Sequence, residues 1–270
     1  MLLKLQILIS SIVILLIISI ALAAPYISPY GFDETDFANA LKPPSKKHIM
    51  GTDQEGRDLF SRILYGARVS IAVAVGTAVV ALLIGTTYGA ISGYIGGKTD
   101  EAMMRIVDVF YSLPDLLLVV LITLLVGKGV EGIVVSLSLT AWMRVARIVR
   151  ASVIQIKNIA FIESAKSLGA SPLRIFTVHI LPNILSPIIV TLTFSIPYAI
   201  IAESTLSFLG IGISPPQASW GTLASTGWQG IRAFPHLIIF PSLAIFITAF
   251  SFNLLGEGLR DILDPQTKRR

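Results

Sequence analysis

Runs of apolar residues long enough to cross a membrane recur along the chain, and they limit what it can fold into. The hydrocarbon core of a bilayer takes roughly 20 apolar residues per helix. Within the 270 residues, runs of that order lie at about 5–24, 69–95, 105–127, 130–150, 183–205 and 236–256. The sequence therefore predicts an all-α, polytopic membrane protein with about six transmembrane helices.

The composition agrees with this class and excludes several others. Hydrophobic residues make up 54% of the chain and charged residues only 14%. There is no cysteine, which excludes a disulfide framework and a thiolate metal site. The net charge of +5 is interpreted as a topology signal, because no basic patch is interleaved with exposed aromatic residues. We expect no nucleic-acid partner.

The first apolar run has two interpretations. Lys4, the apolar stretch and Ala21-Leu22-Ala23-Ala24 also fit a cleavable signal peptide. The run exceeds the usual 7–15 residues of a signal sequence and is long enough to span, so we predict a retained first helix at 1–24. An extracytoplasmic segment at 25–68, a permease core at 69–260 and a cytoplasmic tail at 261–270 complete the predicted organisation.

The distribution of lysine and arginine predicts the orientation. With the N-terminus inside, most of the 21 basic residues fall in cytoplasmic segments, as the positive-inside rule requires. The basic residues of the long segment 25–68 count less and are offset by acidic ones: Asp33, Glu34, Asp36, Asp53, Glu55 and Asp58. We therefore predict that both termini, and the polar segment at about 158–182, are cytoplasmic.

That polar segment is an amphipathic stretch inside an otherwise very apolar protein. In 161–168 one helical stripe is apolar (Phe161, Ile162, Ala165, Leu168) and the other side is polar (Glu163, Lys166, Ser167). Gly169 is a natural helix stop, and Ser171-Pro172 fits an N-cap followed by proline at the first helical position. The pattern predicts a capped helix-turn-helix in water between two spans; an ordinary helical loop is the alternative.

A glycine-rich segment, Ser92-Gly93-Tyr94-Ile95-Gly96-Gly97-Lys98-Thr99, imitates a phosphate-binding loop. The first glycine of that motif is replaced by Ser92, and the segment follows a membrane helix where the motif needs a strand. We predict that this chain does not bind nucleotide there, so that any ATP is bound elsewhere.

Several residues inside the spans have competing interpretations. Arg144, Arg147 and Arg150 repeat every third residue as in voltage sensors, but all lie at one end of a span, which favours cations snorkelling to the cytoplasmic interface. The small residues of the second span predict close packing of another helix, from this chain or a second subunit: Ala81, Gly85, Gly89 and Gly93. Pro187 and Pro197 suit either a bending pore-lining helix or packing.

The ionisable residues of the spans are sparse and lie near span ends: Asp108, Asp115, Glu131 and Glu203. This argues against a proton- or sodium-coupled carrier, which normally keeps such groups at mid-membrane.

Residues 51–58 are rich in acids but lack the spacing of a calcium loop. Thr52 and Glu55 instead predict a capping box that opens a short helix. The arginines of this region are expected at the outer membrane interface: Arg57, Arg62 and Arg68. The three histidines are far apart in sequence and predict no ligand pair: His48, His179 and His236.

Three segments together resemble the C-type permease of the dipeptide, oligopeptide and nickel branch of ATP-binding-cassette (ABC) importers. One runs from Gly51-Thr52-Asp53 through Gly56-Arg57-Asp58 to Gly66-Ala67-Arg68-Val69-Ser70. Another is similar to the EAA loop of these permeases, from Glu163-Ser164-Ala165 through Gly169 to His179-Ile180-Leu181-Pro182-Asn183. The third combines Glu203-Ser204-Thr205-Leu206-Ser207-Phe208-Leu209-Gly210 with Pro215-Pro216 and Ser219-Trp220-Gly221.

The resemblance implies the type I ABC importer permease fold, in a multi-pass protein of the bacterial inner membrane that is not itself an enzyme. It implies a homologous B-type permease, two ATPase subunits that hold ATP and magnesium, an extracytoplasmic substrate-binding protein and membrane lipid as partners. The implied coupling residues are Glu163, Ser164, Ala165, Lys166, Gly169 and Ala170. No catalytic residue, metal or cofactor is expected on this chain. The substrate-contacting residues, and the choice between peptide and nickel, stay open; a channel or a membrane scaffold is the alternative.

Overall fold

The computed structural model describes residues 2–263, and within that range every regular element is helical. The helices are α1 (Leu2–Ile27), α2 (Leu59–Ile95), α3 (Gly97–Tyr111), α4 (Asp115–Val126), α5 (Val130–Lys157), α6 (Ala160–Ser167), α7 (Pro172–Arg174), α8 (Leu181–Phe208), α9 (Trp220–Trp228) and α10 (His236–Leu263). A 3₁₀ turn lies at Phe37–Asn39 and a π-helical turn at Ile175–Ile180. The all-α prediction is confirmed. Most of the predicted tail at 261–270 lies outside the described residues.

The described chain contains five helices long and apolar enough to span a membrane, or six if one bent pair counts as a span. That pair is α3 and α4, which meet at 87°. The predicted third span at 105–127 is therefore wrong as a continuous helix. Pro114 lacks an N–H group and disfavours helical backbone at Leu113. The helix α3 therefore ends at Tyr111, just before these residues, and α4 begins at Asp115.

The small-residue face of α2 packs against α5, as the sequence predicted. A side chain at Gly85 would collide with the carbonyl of Trp142, and one at Gly89 with the carbonyl of Ala146. Gly93 makes the equivalent approach to the carbonyl of Arg150. The sequence left open whether this partner belongs to the same chain, and the structure shows that it does.

The first helix is an integral part of the bundle. Ala21 and Ala24 are buried, and the side-chain amide of Gln6 donates a hydrogen bond of 3.0 Å to the Leu254 carbonyl of α10. Gly258 of α10 leaves room for the side chain of Ile7. Both described chain ends therefore lie at the same end of the bundle as α6, which we call the α6 end.

The second helix begins differently from the prediction. Asp58 caps α2, accepting from the Ser61 N–H at 2.8 Å, and the helix continues into the second span without a break. The predicted Thr52–Glu55 capping box is wrong, because Thr52 is paired with Asp58 in an isolated bridge and its hydroxyl bonds to the Asn39 carbonyl. The helix also crosses the predicted boundary at 68/69.

The segment before α2 is held by a buried ion-pair cluster. Arg57 Nε donates to Asp53 at 2.8 Å, and Arg62 donates to the same carboxylate. Burial would raise the pKa of Asp53, but the charges and hydrogen bonds of Arg62 and Arg57 more than offset it and hold the pKa below its ordinary value. Arg57 and Arg62, which were predicted to lie at the outer membrane interface, are buried against Asp53.

Candidate coupling site

A sharp glycine turn ends α6 and confirms the predicted helix stop. Gly169 has φ +79°, a backbone conformation that side chains with a Cβ rarely adopt. Its N–H bonds to the Lys166 carbonyl at 2.9 Å, and the Ala170 N–H bonds to the Ala165 carbonyl at 3.0 Å. These two bonds satisfy carbonyls at the helix end and make the turn rigid.

The second half of the predicted helix-turn-helix is also present, but it is not separate from the next span. Ser171 Oγ accepts from the Arg174 N–H at 3.3 Å, with Pro172 in the first turn of α7. Through the π-helical turn, α7 continues directly into α8, so residues 172–208 form one helical stretch. Any movement of the Gly169 turn therefore acts on the base of a transmembrane helix.

One hydrophobic cluster anchors α6 to the bundle. Ile162 of α6 packs with Val149 and Val153 of α5 and with Ile175 and Ile180 of the α7–α8 connection. All five side chains are buried.

The predicted apolar stripe of α6 is only partly buried. Ile162 is fully buried and Ala165 half-buried, whereas Phe161 is exposed and Leu168 is 88% exposed. Leu173 of α7, which lies just after the turn, is 72% exposed. Phe161 and Leu168 therefore leave apolar surface uncovered on α6.

The remaining predicted coupling residues form an exposed polar surface next to that apolar one. Glu163, Ser164 and Lys166 are exposed, and the Ser164 hydroxyl bonds within its own helix. Among the described residues, neither Glu163 nor Lys166 forms an ion pair. A Cβ at Gly169 would meet no atom within 4 Å in the described part of the chain, apart from its own neighbours. The structure thus brings all six predicted residues onto one rigid projection, in which Ala165 and Ala170 are half-buried.

The α6 end of α5 is clamped to α3. Arg150 donates to both oxygens of Asp100, at 2.5 and 2.6 Å, and Arg147 donates to Asp108 at 2.6 Å. These two arginines therefore have carboxylate partners, which the snorkelling interpretation did not include. Sequence reasoning missed the ion pairs because it placed the second half of α3 inside a span and did not recognise the amphipathic helix that supplies both carboxylates.

The third arginine, Arg144, has an aromatic partner, with its guanidinium carbon 4.5 Å from the ring centre of Tyr198. In the glycine-rich segment, residues 92–95 are the last turn of α2. Ser92 Oγ donates to Asp100 at 2.5 Å, and Lys157 Nζ donates to the Gly93 carbonyl at 2.7 Å. The segment thus forms the end of α2 and the start of α3.

The histidines occupy separate structural positions. His48 Nδ1 lies 2.9 Å from Asp58 Oδ1 in the buried segment before α2. His179 lies in the π-helical turn with its ring centre 6.1 Å from that of Phe161. Within residues 2–263, no cluster of three or more histidine, cysteine or acidic residues is arranged to hold a metal ion.

The burial of one ionisable residue was not predicted from the sequence. Glu203 was placed near a span end, but it is only 1% exposed. Its Oε1 accepts from Ser207 Oγ at 2.8 Å and from Ser219 Oγ at 2.6 Å. Ser219 also caps α9 in a capping box with Thr222. The only available signal was the cluster of polar residues around the C-terminal end of α8.

Comparison with known families decides what this arrangement belongs to. Residues 85–269, which include α6, the Gly169 turn and α7, match the family described as binding-protein-dependent transport system inner membrane component. The chain belongs to this family. Residues 7–44 separately match the N-terminal TM domain of oligopeptide transport permease C. The chain is therefore a permease component of a multi-pass inner-membrane ABC importer, in agreement with the resemblance noted from the sequence.

Individual relatives are similar over nearly the whole chain. The oligopeptide transport system permease protein OppC of Bacillus subtilis (strain 168) is 46% identical over 96% of this chain and 85% of its own length. The dipeptide transport system permease protein DppC of the same organism is 44% identical over 95% of this chain and 81% of its own length.

A solved structure confirms the fold. The inward-facing MetNI methionine ABC transporter superposes with a TM-score of 0.62, at 19% identity, over 76% of this chain and 96% of its own chain. At that identity the likeness concerns the fold alone, and it confirms the predicted type I importer permease architecture.

Proposed function

We propose that this chain is one half of the translocation path of an ATP-driven importer of peptides. The observation that carries the proposal is the rigid projection around Gly169, continuous with α8, in a chain that belongs to the importer permease family. The substrate class follows from the relatives that are 46% and 44% identical, which are named for oligopeptides and dipeptides. These names favour peptide over the nickel alternative.

The surface that supports the ATPase partner is the uncovered one around the Gly169 turn. The exposed side chains of Leu168 and Leu173, flanked by Glu163 and Lys166, suit a groove that combines an apolar floor with charged edges. We assign that groove to one of two ATPase subunits, which would hold ATP and magnesium. A homologous B-type permease would complete the path, and an extracytoplasmic binding protein would deliver the substrate.

The orientation proposed is with both termini in the cytoplasm. The described ends of α1 and α10 lie at the α6 end, so placing α6 against cytoplasmic ATPases places both termini on that side. The bias of lysine and arginine toward the same segments supports this orientation.

The mechanism proposed is mechanical. Closure of the ATPases on ATP would displace α6, and the Gly169 turn would pass that displacement to α7 because its hydrogen bonds leave it little freedom. The helical stretch 172–208 would carry the movement through the membrane. At the far end, the hydrogen bond between Glu203 and Ser219 would make α9 follow.

Reconstitution of the complete importer tests this function. Proteoliposomes with the two permeases and the ATPases are supplied with ATP on the ATPase side and with the loaded binding protein on the other. We expect accumulation of a labelled tripeptide that needs both ATP and the binding protein and that excess nickel does not inhibit. Accumulation of nickel in place of the peptide, or passive flux without ATP, would contradict the proposal.

A further inference from the structure

The end of the bundle opposite α6 contains a polar cavity of about 360 Å³. Its wall combines the loop before α2, the first turn of α2, the turn between α4 and α5, the end of α8, the loop between α8 and α9, and one side of α9. The lining includes Arg57, Arg62, Lys128, Ser207 and Thr226. The volume lies within the range of about 300–1,000 Å³ typical of small-molecule sites.

The acidic groups of the cavity are already occupied. Asp53 accepts from Arg57 and Arg62 and also from the backbone N–H groups of Glu55 and Arg57, at 2.9 and 3.0 Å. Glu55 pairs with Arg57 Nη1 at 2.9 Å. Asp53 is therefore not free to receive a cationic ligand, and Glu55, whose side chain is 47% exposed, has its charge balanced by Arg57.

Donor groups, in contrast, remain available. Arg62 is 7% exposed, and its Nε is buried without a hydrogen-bond partner in the described part of the chain. Lys128 Nζ uses one of its hydrogens on the Gly210 carbonyl at 3.0 Å and is otherwise exposed. Hydroxyl side chains of α9 and of the preceding loop complete the wall. A cavity with spare cationic donors and occupied acceptors fits a small anionic group.

The wall is also rigid on the side of α8. Ser207 lines the cavity and donates to the buried Glu203, which holds Ser219 at the start of α9. The cavity is thus part of the structure that α8 and α9 share, and movement of α8 would change its shape.

We propose that this cavity binds the terminal carboxylate of the peptide as the peptide leaves the binding protein and enters the translocation path. The inference rests on the proposed function, which supplies the peptide substrate and places this end of the bundle outside the cell. Every linear peptide carries a terminal carboxylate whatever its side chains. A site for that group would therefore orient peptides of different sequence in the same way.

The first test compares a tripeptide with its C-terminal amide in the reconstituted importer. Each form is loaded onto the binding protein to saturation, checked by calorimetry, so that delivery is equal. Lys128→Glu places a negative charge at the cavity, and Lys46→Glu makes the same change at an exposed lysine of the same end that does not line it. We expect Lys128→Glu to lower uptake of the free-acid peptide by about tenfold, since a charge-assisted contact is replaced by repulsion. Uptake of the amide, and of both forms by Lys46→Glu, should stay unchanged.

The second test needs no binding protein. Because the chain has no cysteine, Thr226→Cys gives it a single thiol at the cavity, in a complex whose other subunits also lack cysteine. The free-acid peptide should slow alkylation of that thiol, and the amide should not. As a control, the thiol of Thr35→Cys, at an exposed position before α2, should be alkylated at the same rate in the presence of either peptide.

Three results would overturn the subsite. Lys128→Glu could behave like Lys46→Glu, or alkylation at position 226 could be insensitive to the peptide. The third result has two parts: Lys128→Glu lowers uptake of both peptide forms equally, and it raises the concentration of binding protein that gives half-maximal ATPase activity. That result would assign the cavity to a carboxylate of the binding protein. An unaltered importer that transports neither form would overturn the proposed function as well.

Discussion

Ser219 Oγ lies 2.6 Å from Glu203 Oε1, and this hydrogen bond joins the end of α8 to the first turn of α9. The carboxylate is buried and Ser207 donates to the same oxygen. Residues 172–208 form one helical stretch that begins just after the Gly169 turn. This stretch and the Glu203–Ser219 hydrogen bond together connect α6 at one end of the bundle to α9 at the other.

Removing this carboxylate should separate transport from ATP hydrolysis. Glu203→Ala leaves the hydroxyls of Ser207 and Ser219 without their acceptor, at a cost of about 1–3 kcal/mol each. We expect normal assembly and basal ATPase activity, with peptide uptake lowered at least tenfold. Glu203→Gln keeps an acceptor oxygen and should retain most of the uptake, measured side by side in proteoliposomes. Equal loss in both variants would mean that the charge, and not the hydrogen bond, is required.

Bulk at the Gly169 turn should abolish transport without preventing assembly. At φ +79° a side chain costs about 1 kcal/mol or more, and the turn faces the proposed ATPase groove. Gly97→Val is the matched control, because Gly97 also has positive φ (+57°), lies at the α6 end and has open space around it. We expect Gly169→Val to co-purify with the other permease and to transport nothing, while Gly97→Val transports.

Glu163→Ala should weaken coupling in the same direction but less, through a lost charge-assisted contact at the ATPase interface. The measurement is uptake per molecule of ATP hydrolysed.

For the substitution at Gly169, normal uptake by Gly169→Val would remove α6 from the coupling role. Loss of uptake through degradation of the protein alone would do the same.

The segment before α2 should lose stability in acid through Asp53. Because its native pKa is lowered from the ordinary 3.8, the ionised carboxylate stabilises the fold above that pH, and the contribution is lost as pH falls through the lower native value. Asp53→Asn should therefore reduce the thermal unfolding temperature at neutral pH, with the difference from the unaltered protein shrinking in acid. A difference independent of pH would assign the effect to packing.

Single cysteines test the orientation, since the chain contains none of its own. Ser167→Cys should react with an impermeant reagent only from the cytoplasm, and Ser214→Cys only from outside. The reverse pattern would place α6 away from the ATPases. A mature chain that begins near Pro25 would show that the first helix is a signal peptide after all.

The sequence alone determined those features whose cause is local. Apolar runs of membrane length, the glycine stop at Gly169 and the Ser171-Pro172 cap depend on a few consecutive residues, and the structure contains each of them. The small residues of α2 likewise predicted a close helix contact, although not that α5 makes it.

Tertiary structure decided which distant groups meet. Arg150 finds Asp100 only because the chain turns between α2 and α3 at Gly96, and Glu203 finds Ser219 only because α9 returns to α8. Such pairs are separated by many residues, and nothing in the local pattern of either partner indicates the other. The interaction energies of these pairs depend on burial and on distance, and both are defined only once the helices have packed.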